Sequence, residues 1–393
     1  MSLPPLTSRA HQRYDYSDFD RERLLMHMRS TEGPALCTGD VTGNGLADVY
    51  IGGARGQAGA LWLQQTGGGF ERGHREAFEQ EVRPEETACA LFDATGDGLA
   101  DLYVVSGGNS FGSGSSALSD RMYVNDGAGG FTHTGQVLPT RRGFEPGSVA
   151  APHDFTGDGI PDLFVGIRLR PFGVGLPASG YLLEGNGDGT FTDVTEGWAP
   201  QLLEAGMITD GLWADLTGDG SEELVITGEW MPVRVFASRG DRFEEITGEL
   251  GLENTHGWWN AITAADLNGD GRMDLIGANH GENSLFKASP EHPVKMWAGD
   301  FARNGMVEQI LSYPKDGRDY PVGLRHDMAE EIPELADRYP DYESYAGQTV
   351  QEIFTGQELE QAEELRASEL QSTIFLNEED GFRAEALPVR AQL

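Results

Sequence analysis

The nine residues Asp93-Ala-Thr-Gly-Asp-Gly-Leu-Ala-Asp101 carry oxygen-bearing side chains at positions 1, 3, 5 and 9, with glycine at positions 4 and 6. Four other stretches repeat the pattern: Asp40–Asp48, Asp154–Asp162, Asp215–Glu223 and Asp266–Asp274. Short loops that wrap a hard cation such as calcium offer several oxygens in this way. The sequence therefore predicts five equivalent cation loops.

Each loop position has an expected role in binding calcium. Carboxylates fill position 1: Asp40, Asp93, Asp154, Asp215 and Asp266. Hydroxyl or amide oxygens fill position 3: Thr42, Thr95, Thr156, Thr217 and Asn268. Position 5 holds Asn44, Asp97, Asp158, Asp219 and Asp270. Backbone carbonyls are expected at position 7: Leu46, Leu99, Ile160, Ser221 and Arg272. Position 9 completes the shell with Asp48, Asp101, Asp162, Glu223 and Asp274. Because Asn44 is uncharged, the first loop should bind calcium most weakly.

Two alternatives to a cation loop are less consistent with the repetition. One copy alone would fit an ordinary Asp-Gly turn equally well. An EF-hand needs a glutamate at position 12. That position instead holds Ile51, Val104, Val165, Ile226 and Gly277.

Strand-like segments flank every loop and indicate the architecture. Runs such as Leu102-Tyr-Val-Val follow the loops, and a second apolar run, a turn and a phenylalanine come later, as in Met122-Tyr-Val to Phe131. Four strands per repeat, which we name A to D, with the cation loop between A and B, are typical of one propeller blade. We therefore predict an all-β propeller of six or seven four-stranded blades.

The last repeat departs from the pattern. Its loop, Asp300–Glu308, has Ala302 at position 3 and Arg303 at position 4, so we interpret it as a blade that has lost its metal. We assign Thr373–Phe382 to its C and D strands, which leaves an acidic helical insertion at about 322–370. The predicted domains are an N-terminal segment, 1–34, that closes the ring, and a propeller, 35–393.

Composition excludes several classes of protein. The 393 residues carry 64 acidic against 28 basic side chains, a net charge of −36. Nucleic acid is excluded as a partner because it requires a basic face. We interpret the charge as adaptation to high salt. The sequence has no apolar run long enough to span a membrane.

The two cysteines are expected to remain unpaired. Cys37 lies three residues before its loop and Cys89 four before its own. The odd offset places them on opposite faces of equivalent strands, so we predict two small core residues and no disulfide.

The strand–DxTGDGxxD–strand unit resembles the FG-GAP repeat, also called the VCBS repeat, of integrin α-chain propellers. The stretches Asp20-Arg-Glu-Arg-Leu-Leu, Asn279-His-Gly-Glu-Asn-Ser and Leu387-Pro-Val-Arg-Ala-Gln are similar to bacterial exported proteins with an ASPIC/UnbV domain. The resemblance implies a calcium-bound propeller, outside the cell or in the periplasm, that acts in adhesion or as a scaffold. It also implies that the chain is part of a longer polypeptide.

A partner is expected on the face opposite the cation loops. Strands alternate in direction, so the connections between strands B and C lie on that face, which we name the B–C face. Trp230, Trp258, Trp259 and His280 are the candidate contacts there, with core packing as the alternative for each tryptophan. We predict a non-catalytic module with a protein or glycan ligand; the alternative is a lectin or glycan-active enzyme that uses the B–C face.

Overall fold

The computed structural model describes residues 15–139 and 143–392. Nearly all regular structure is β, in six four-stranded antiparallel sheets with few helices. This arrangement of a multi-bladed propeller confirms the predicted fold class. In the described ranges no helix is long and apolar enough to cross a membrane.

The first four sheets follow the chain in order. Blade 1 contains β1 (Leu36–Gly39), β2 (Asp48–Ile51), β3 (Ala60–Gln64) and β4 (Phe70–Arg72). Blade 2 contains β5 (Glu85–Phe92), β6 (Asp101–Gly107), β7 (Arg121–Asn125) and β8 (Phe131–His133). Blade 3 contains β9 (Gly147–His153), β10 (Asp162–Ile167), β11 (Gly180–Gly185) and β12 (Phe191–Asp193), followed by helix α1 (Thr195–Trp198). Blade 4 contains β13 (Met207–Ala214), β14 (Glu223–Met231), β15 (Arg234–Ser238) and β16 (Phe243–Glu245), and β17 (Gly257–Trp258) pairs with β14.

Blade 5 is completed by the end of the chain. It contains β18 (Ala261–Ala265), β19 (Asp274–Ala278), β24 (Thr373–Glu378) and β25 (Gly381–Ala386). Strand β24 pairs with β19 in the register Leu275 with Phe375. The assignment of this hairpin to the sixth repeat was therefore wrong, because the apolar run and turn define a hairpin without saying which sheet it joins.

The sixth sheet is an insertion within blade 5. It contains β20 (Val294–Gly299), β21 (Glu308–Lys315), β22 (Arg318–Pro321) and β23 (Glu363–Ala367), in the order β22-β21-β20-β23. Between β22 and β23 lie the expected helices: α2 (Arg325–Glu331), α3 (Glu334–Arg338), α4 (Tyr342–Tyr345), α5 (Val350–Ile353) and α6 (Gly356–Gln361). The helical insertion is confirmed, although Leu365, expected at helical spacing, lies in β23. The helices bury Met328, Ile332 and Ile353 against Trp297 of the sheet.

The main core lies between neighbouring blades, which pack face to face. Between blades 3 and 4, for example, Phe164 and Leu182 pack with Ile208 and Phe236. Equivalent clusters join blades 1 and 2, blades 2 and 3, and blades 4 and 5. The A strands β1, β5, β9, β13 and β18 adjoin one another in this order.

Face-to-face packing also explains the cysteines. Cys37 on β1 and Cys89 on β5 form a disulfide, with Cα atoms 5.8 Å apart. The expectation of unpaired cysteines was wrong. Opposite faces of equivalent strands are the two faces that meet when one blade stacks on the next.

Candidate cation loops and the face opposite them

The loop of blade 2 is held in shape by its own side chains. Asp93 Oδ1 accepts hydrogen bonds from the Gly96 N–H, at 2.7 Å, and the Asp97 N–H, while Asp93 Oδ2 accepts from the Gly98 N–H at 2.8 Å. Asp97 Oδ1 accepts from the Leu99 N–H. Gly96 and Gly98 have φ values of 73° and 87°, which glycine adopts without steric strain. The same bond from position 6 to the first aspartate occurs in the other four loops.

Position 9 is buried in all five loops and ties the loop to its blade. The Asp101 side chain has Oδ2 at 3.0 Å from the Ala94 N–H and Oδ1 at 2.8 Å from the Asn125 N–H on β7. Burial raises the pKa of Asp101. The other position-9 aspartates accept an N–H from strand C in the same way: Asp48 from Gln64, Asp162 from Gly185, and Asp274 from Asn377. The position-9 carboxylate therefore links the loop to strand C and is also an expected metal ligand.

Two asparagines next to this carboxylate link the blade to the preceding one, and sequence reasoning missed them. Asn125 Nδ2 donates to the Val41 carbonyl of blade 1, and Asn377 Nδ2 donates to the Leu216 carbonyl of blade 4, both at 2.8 Å. Asn125 is the last residue of its C strand and Asn377 the last but one of its own, and a turn follows each strand. That position was the only available signal, and it is also typical of an ordinary turn former.

The donor set at the loops fits a hard cation. The Oγ1 atom of Thr42, at position 3 of the first loop, is buried and has no hydrogen-bond partner among the described residues. A cation beside the loop would give this oxygen a partner. Within the described residues, no three His, Cys, Asp or Glu side chains are grouped so as to hold a metal. The expected shell instead mixes carboxylates with hydroxyl and carbonyl oxygens, a combination that calcium accepts. Calcium at these loops stays a prediction.

The loop of blade 5 differs from the others in its charge. Arg272 Nη2 lies 2.6 Å from Asp270 Oδ2. Hydrogen bonding from the Arg272 backbone N–H and this guanidinium lower the pKa of Asp270. The position-5 carboxylate is thus already paired with a cation. This loop joins the Asn44 loop as one expected to bind calcium weakly.

The sixth loop keeps the shape and changes the chemistry. Asp300 accepts the N–H groups of Asn304 and Gly305, as the first aspartate does elsewhere. Arg303 replaces glycine at position 4 with φ 55°, and its guanidinium lies 3.0 Å from Glu358 of α6. Glu308 Oε1 is buried with no hydrogen-bond partner among the described residues, and burial raises the pKa of Glu308 to about 7.

The expected partner residues are packed inside the protein. Trp230 and Trp258 are each 4% exposed, and Trp259 is fully buried. Trp230 and Trp258 pack with Val294, Met296 and Leu311 of the sixth sheet. The sixth sheet thus covers most of both rings, and no local sequence pattern indicated that an inserted sheet would do so.

His280 also packs against this cluster. Its ring stacks on Trp258 with centroids 4.8 Å apart, and its Nε2 lies 2.8 Å from Ser284 Oγ. Burial lowers the pKa of His280. The ring is therefore held by packing and by one hydroxyl.

The N-terminal segment binds the sixth sheet to the B–C face. Arg29 forms a bidentate pair with Glu229 of β14, at 2.6 and 2.5 Å. Although burial opposes it, the charges of Arg29 and Arg168 lower the pKa of Glu229 to about 2. Glu22 accepts from Asn109 of blade 2 and from Gln309 of β21. The described part of this segment, 15–34, forms no strand in the six sheets, so ring closure by residues 1–34 stays a prediction.

A cavity of about 590 Å³ lies at this junction. Its walls come from the N-terminal segment, the B–C loops of blades 2 and 3, the connection between these two blades, and the loop of the sixth sheet. The side chains in its lining include Arg21, Ser113, Glu145, Arg170, Phe172 and Met306.

Comparisons with known proteins support the repeat. A family model described as an FG-GAP-like repeat matches residues 93–165, 154–226 and 215–277. No curated protein matches the chain.

Similar solved structures include a lectin of Agrocybe aegerita, studied for its specific recognition of non-reducing terminal N-acetylglucosamine. That lectin is 19% identical, with 92% of this chain and 82% of the lectin covered and a TM-score of 0.39. Another is BBS1N in complex with ARL6DN, at 12% identity, 72% and 82% coverage and a TM-score of 0.31.

Proposed function

We propose that this protein, a β-propeller containing FG-GAP-like repeats, is a calcium-stabilised binding scaffold that works outside the cytoplasm. The observation that carries the proposal is the repeated loop with its matched oxygen donors. In the first loop the position-3 hydroxyl of Thr42 is buried and has no hydrogen-bond partner among the described residues. Calcium that binds only the folded loop stabilises the fold by mass action.

Two observations support a location at the cell surface or in the periplasm. The Cys37–Cys89 disulfide joins blades 1 and 2, and disulfides persist mainly in oxidising compartments. The net charge of −36 suits a protein that meets high ionic strength, where its own repulsion is screened.

The role we propose is binding without catalysis, with a protein or a glycan as the ligand. Rigid blades that present loops at both ends are a suitable support for recognition. The second candidate is a lectin or glycan-active enzyme that uses the B–C face. It is favoured by the cavity of about 590 Å³ on that face, a size common for small-ligand sites.

Calcium removal tests the proposal. We expect the melting temperature of the purified protein to fall by several degrees in EGTA and to return when calcium is restored, because several sites contribute binding free energy. Magnesium in the same excess is the control and should restore less, since it prefers a smaller and more rigid shell. An unchanged melting temperature after calcium removal would refute a structural role for calcium.

A further inference from the structure

The cavity at the junction brings two arginines together in an acidic protein. Its lining contains the guanidinium groups of Arg21 and Arg170, although the chain has 64 acidic and only 28 basic side chains. The Arg21 Cζ lies 3.5 Å from the centre of the Phe172 ring. A guanidinium held over an aromatic face keeps its outward N–H groups available to a ligand.

Arg170 brings a second guanidinium to the lining. Its Nη2 pairs with Glu204 Oε1 at 2.8 Å. Its Nε is buried and has no hydrogen-bond partner among the described residues. Because that nitrogen has almost no accessible surface, a ligand acceptor in the cavity would meet the terminal nitrogens of the side chain, which is 30% exposed.

The remaining lining offers both hydroxyl-binding groups and an apolar surface. Ser113 supplies a hydroxyl, and Glu145 a carboxylate that also accepts the Tyr181 hydroxyl at 3.0 Å. Leu176 and the partly exposed Met306 supply apolar surface beside Phe172. Small-ligand sites combine apolar walls with a few fixed polar groups in this way.

The backbone of the cavity wall is held in place before any ligand binds. Phe172 has φ 60°, a left-handed conformation that is unfavourable for an aromatic residue. Its N–H donates to Asn109 Oδ1 at 3.0 Å, and Asn109 Nδ2 donates to Glu22 of the N-terminal segment. Strained backbone that its surroundings maintain is found most often at functional sites.

We propose that this cavity binds an acidic saccharide, with a hexuronate as its recognised unit. Arg21 and Arg170 receive the carboxylate, Ser113 and Glu145 bond to ring hydroxyls, and the apolar face of the sugar lies toward Phe172 and Met306. Charge-assisted bonds to arginine distinguish the uronate from a neutral sugar. The inference rests on the binding role proposed above and specifies the ligand class of its glycan-binding form.

Calorimetric titration of the calcium-loaded protein with glucuronate, glucose and acetate tests the assignment. Glucuronate should bind at least tenfold more tightly than either glucose, which lacks the carboxylate, or acetate, which lacks the ring. The substitution Arg21→Gln should weaken glucuronate binding about tenfold and leave the melting temperature unchanged. Arg23→Gln is the matched control, because Arg23 pairs with Glu330 at 2.6 Å and lies outside the cavity lining, and it should bind as the unmodified protein does.

Met306→Glu keeps both arginines and places a negative charge at the cavity. Met306 is 49% exposed, so this variant should fold normally and lose glucuronate binding. Equal binding of glucose and glucuronate, no glucuronate binding at all, or an unaffected Arg21→Gln variant would each overturn the assignment. The melting shift on calcium removal is measured separately, so failure here is distinguishable from failure of the calcium-stabilised scaffold.

Discussion

The loop of blade 2 and the loop of the sixth sheet have the same hydrogen-bonded shape built from different residues. At position 4 one has Gly96 with φ 73° and the other has Arg303 with φ 55°. At position 9, Asp101 has both oxygens bonded by backbone N–H groups, whereas Glu308 has one oxygen with no partner in the described chain. The loop shape therefore does not require the full set of metal ligands, and each loop position can be tested for shape and for metal separately.

The largest expected difference lies at position 9. Replacing Asp101 with asparagine removes one of two buried acceptors and should cost about 1–3 kcal/mol even without calcium. Glu308→Gln removes a carboxylate that accepts a hydrogen bond through only one oxygen, so it should lower the free energy of unfolding by less than half as much. Urea unfolding of both variants in EGTA measures the two values. Equal decreases in the free energy of unfolding would show that the two position-9 carboxylates contribute equally.

Glu308 also predicts a pH dependence of stability at the sixth sheet. Burial raises the pKa of Glu308 from its ordinary value of 4.5 to about 7. Its contribution to stability is therefore complete below pH 4.5 and is lost as the pH rises through 7. As the pH rises from 5 to 8, the free energy of unfolding of Glu308→Gln should therefore increase relative to that of the unmodified protein. A constant difference over that range would contradict the shifted pKa.

The next difference lies at position 4. Gly96→Arg places a side chain in the left-handed region and should cost about 1–2 kcal/mol. The reciprocal change, Arg303→Gly, relieves that strain but breaks the exposed pair with Glu358, worth about 0–1 kcal/mol, so the two effects nearly cancel. Thermal melts of both variants without calcium should show a lower melting temperature for Gly96→Arg and little change for Arg303→Gly. A large loss in Arg303→Gly would mean that the pair with α6 supports the insertion.

The smallest expected effect on the fold lies at position 5. Asn44 of the first loop accepts the Leu46 N–H at 2.8 Å, as Asp97 accepts the Leu99 N–H. Asp97→Asn should therefore keep the calcium-free stability within about 0.5 kcal/mol, as is usual for exposed sites. Calcium affinity should fall several-fold, because the site loses one ligand charge. Calcium titration that leaves the affinity unchanged would place the ion elsewhere.

The sequence predicted what is encoded locally. The oxygen pattern and the glycines gave the loops, and the apolar runs beside them gave four strands per blade. Within each repeat these signals lie within about 40 residues of each other along the sequence, so they can be recognised without knowledge of the tertiary fold. The bond from the Asn377 N–H to Asp274 Oδ1 makes the last hairpin the C strand of blade 5, but the two residues are 103 apart and nothing local joins them.

The parts that could not be predicted depend on which faces meet. The cysteines were placed correctly on opposite faces, and only the stacking of blades turns that placement into a disulfide. Trp230 lies near the end of β14 and Trp258 in β17, and both would be exposed if the sixth sheet were a blade in sequence with the others. Because that sheet packs on them instead, they are core residues. In each case the alternation of side chains along a strand predicts which face a residue occupies. It does not predict which other element packs against that face.

The late arrival of β24 has a consequence for synthesis on the ribosome. Strand β19 ends at Ala278, and the strand that pairs with it begins at Thr373, so nearly a hundred residues must be translated before blade 5 gains its third strand. Until then β19 presents an unpaired edge, the kind of surface that promotes aggregation of folding intermediates. The inserted sheet, with its own helices, has time to fold in that interval. Blade 5 is thus expected to be the last part of the nascent chain to become resistant to proteolysis.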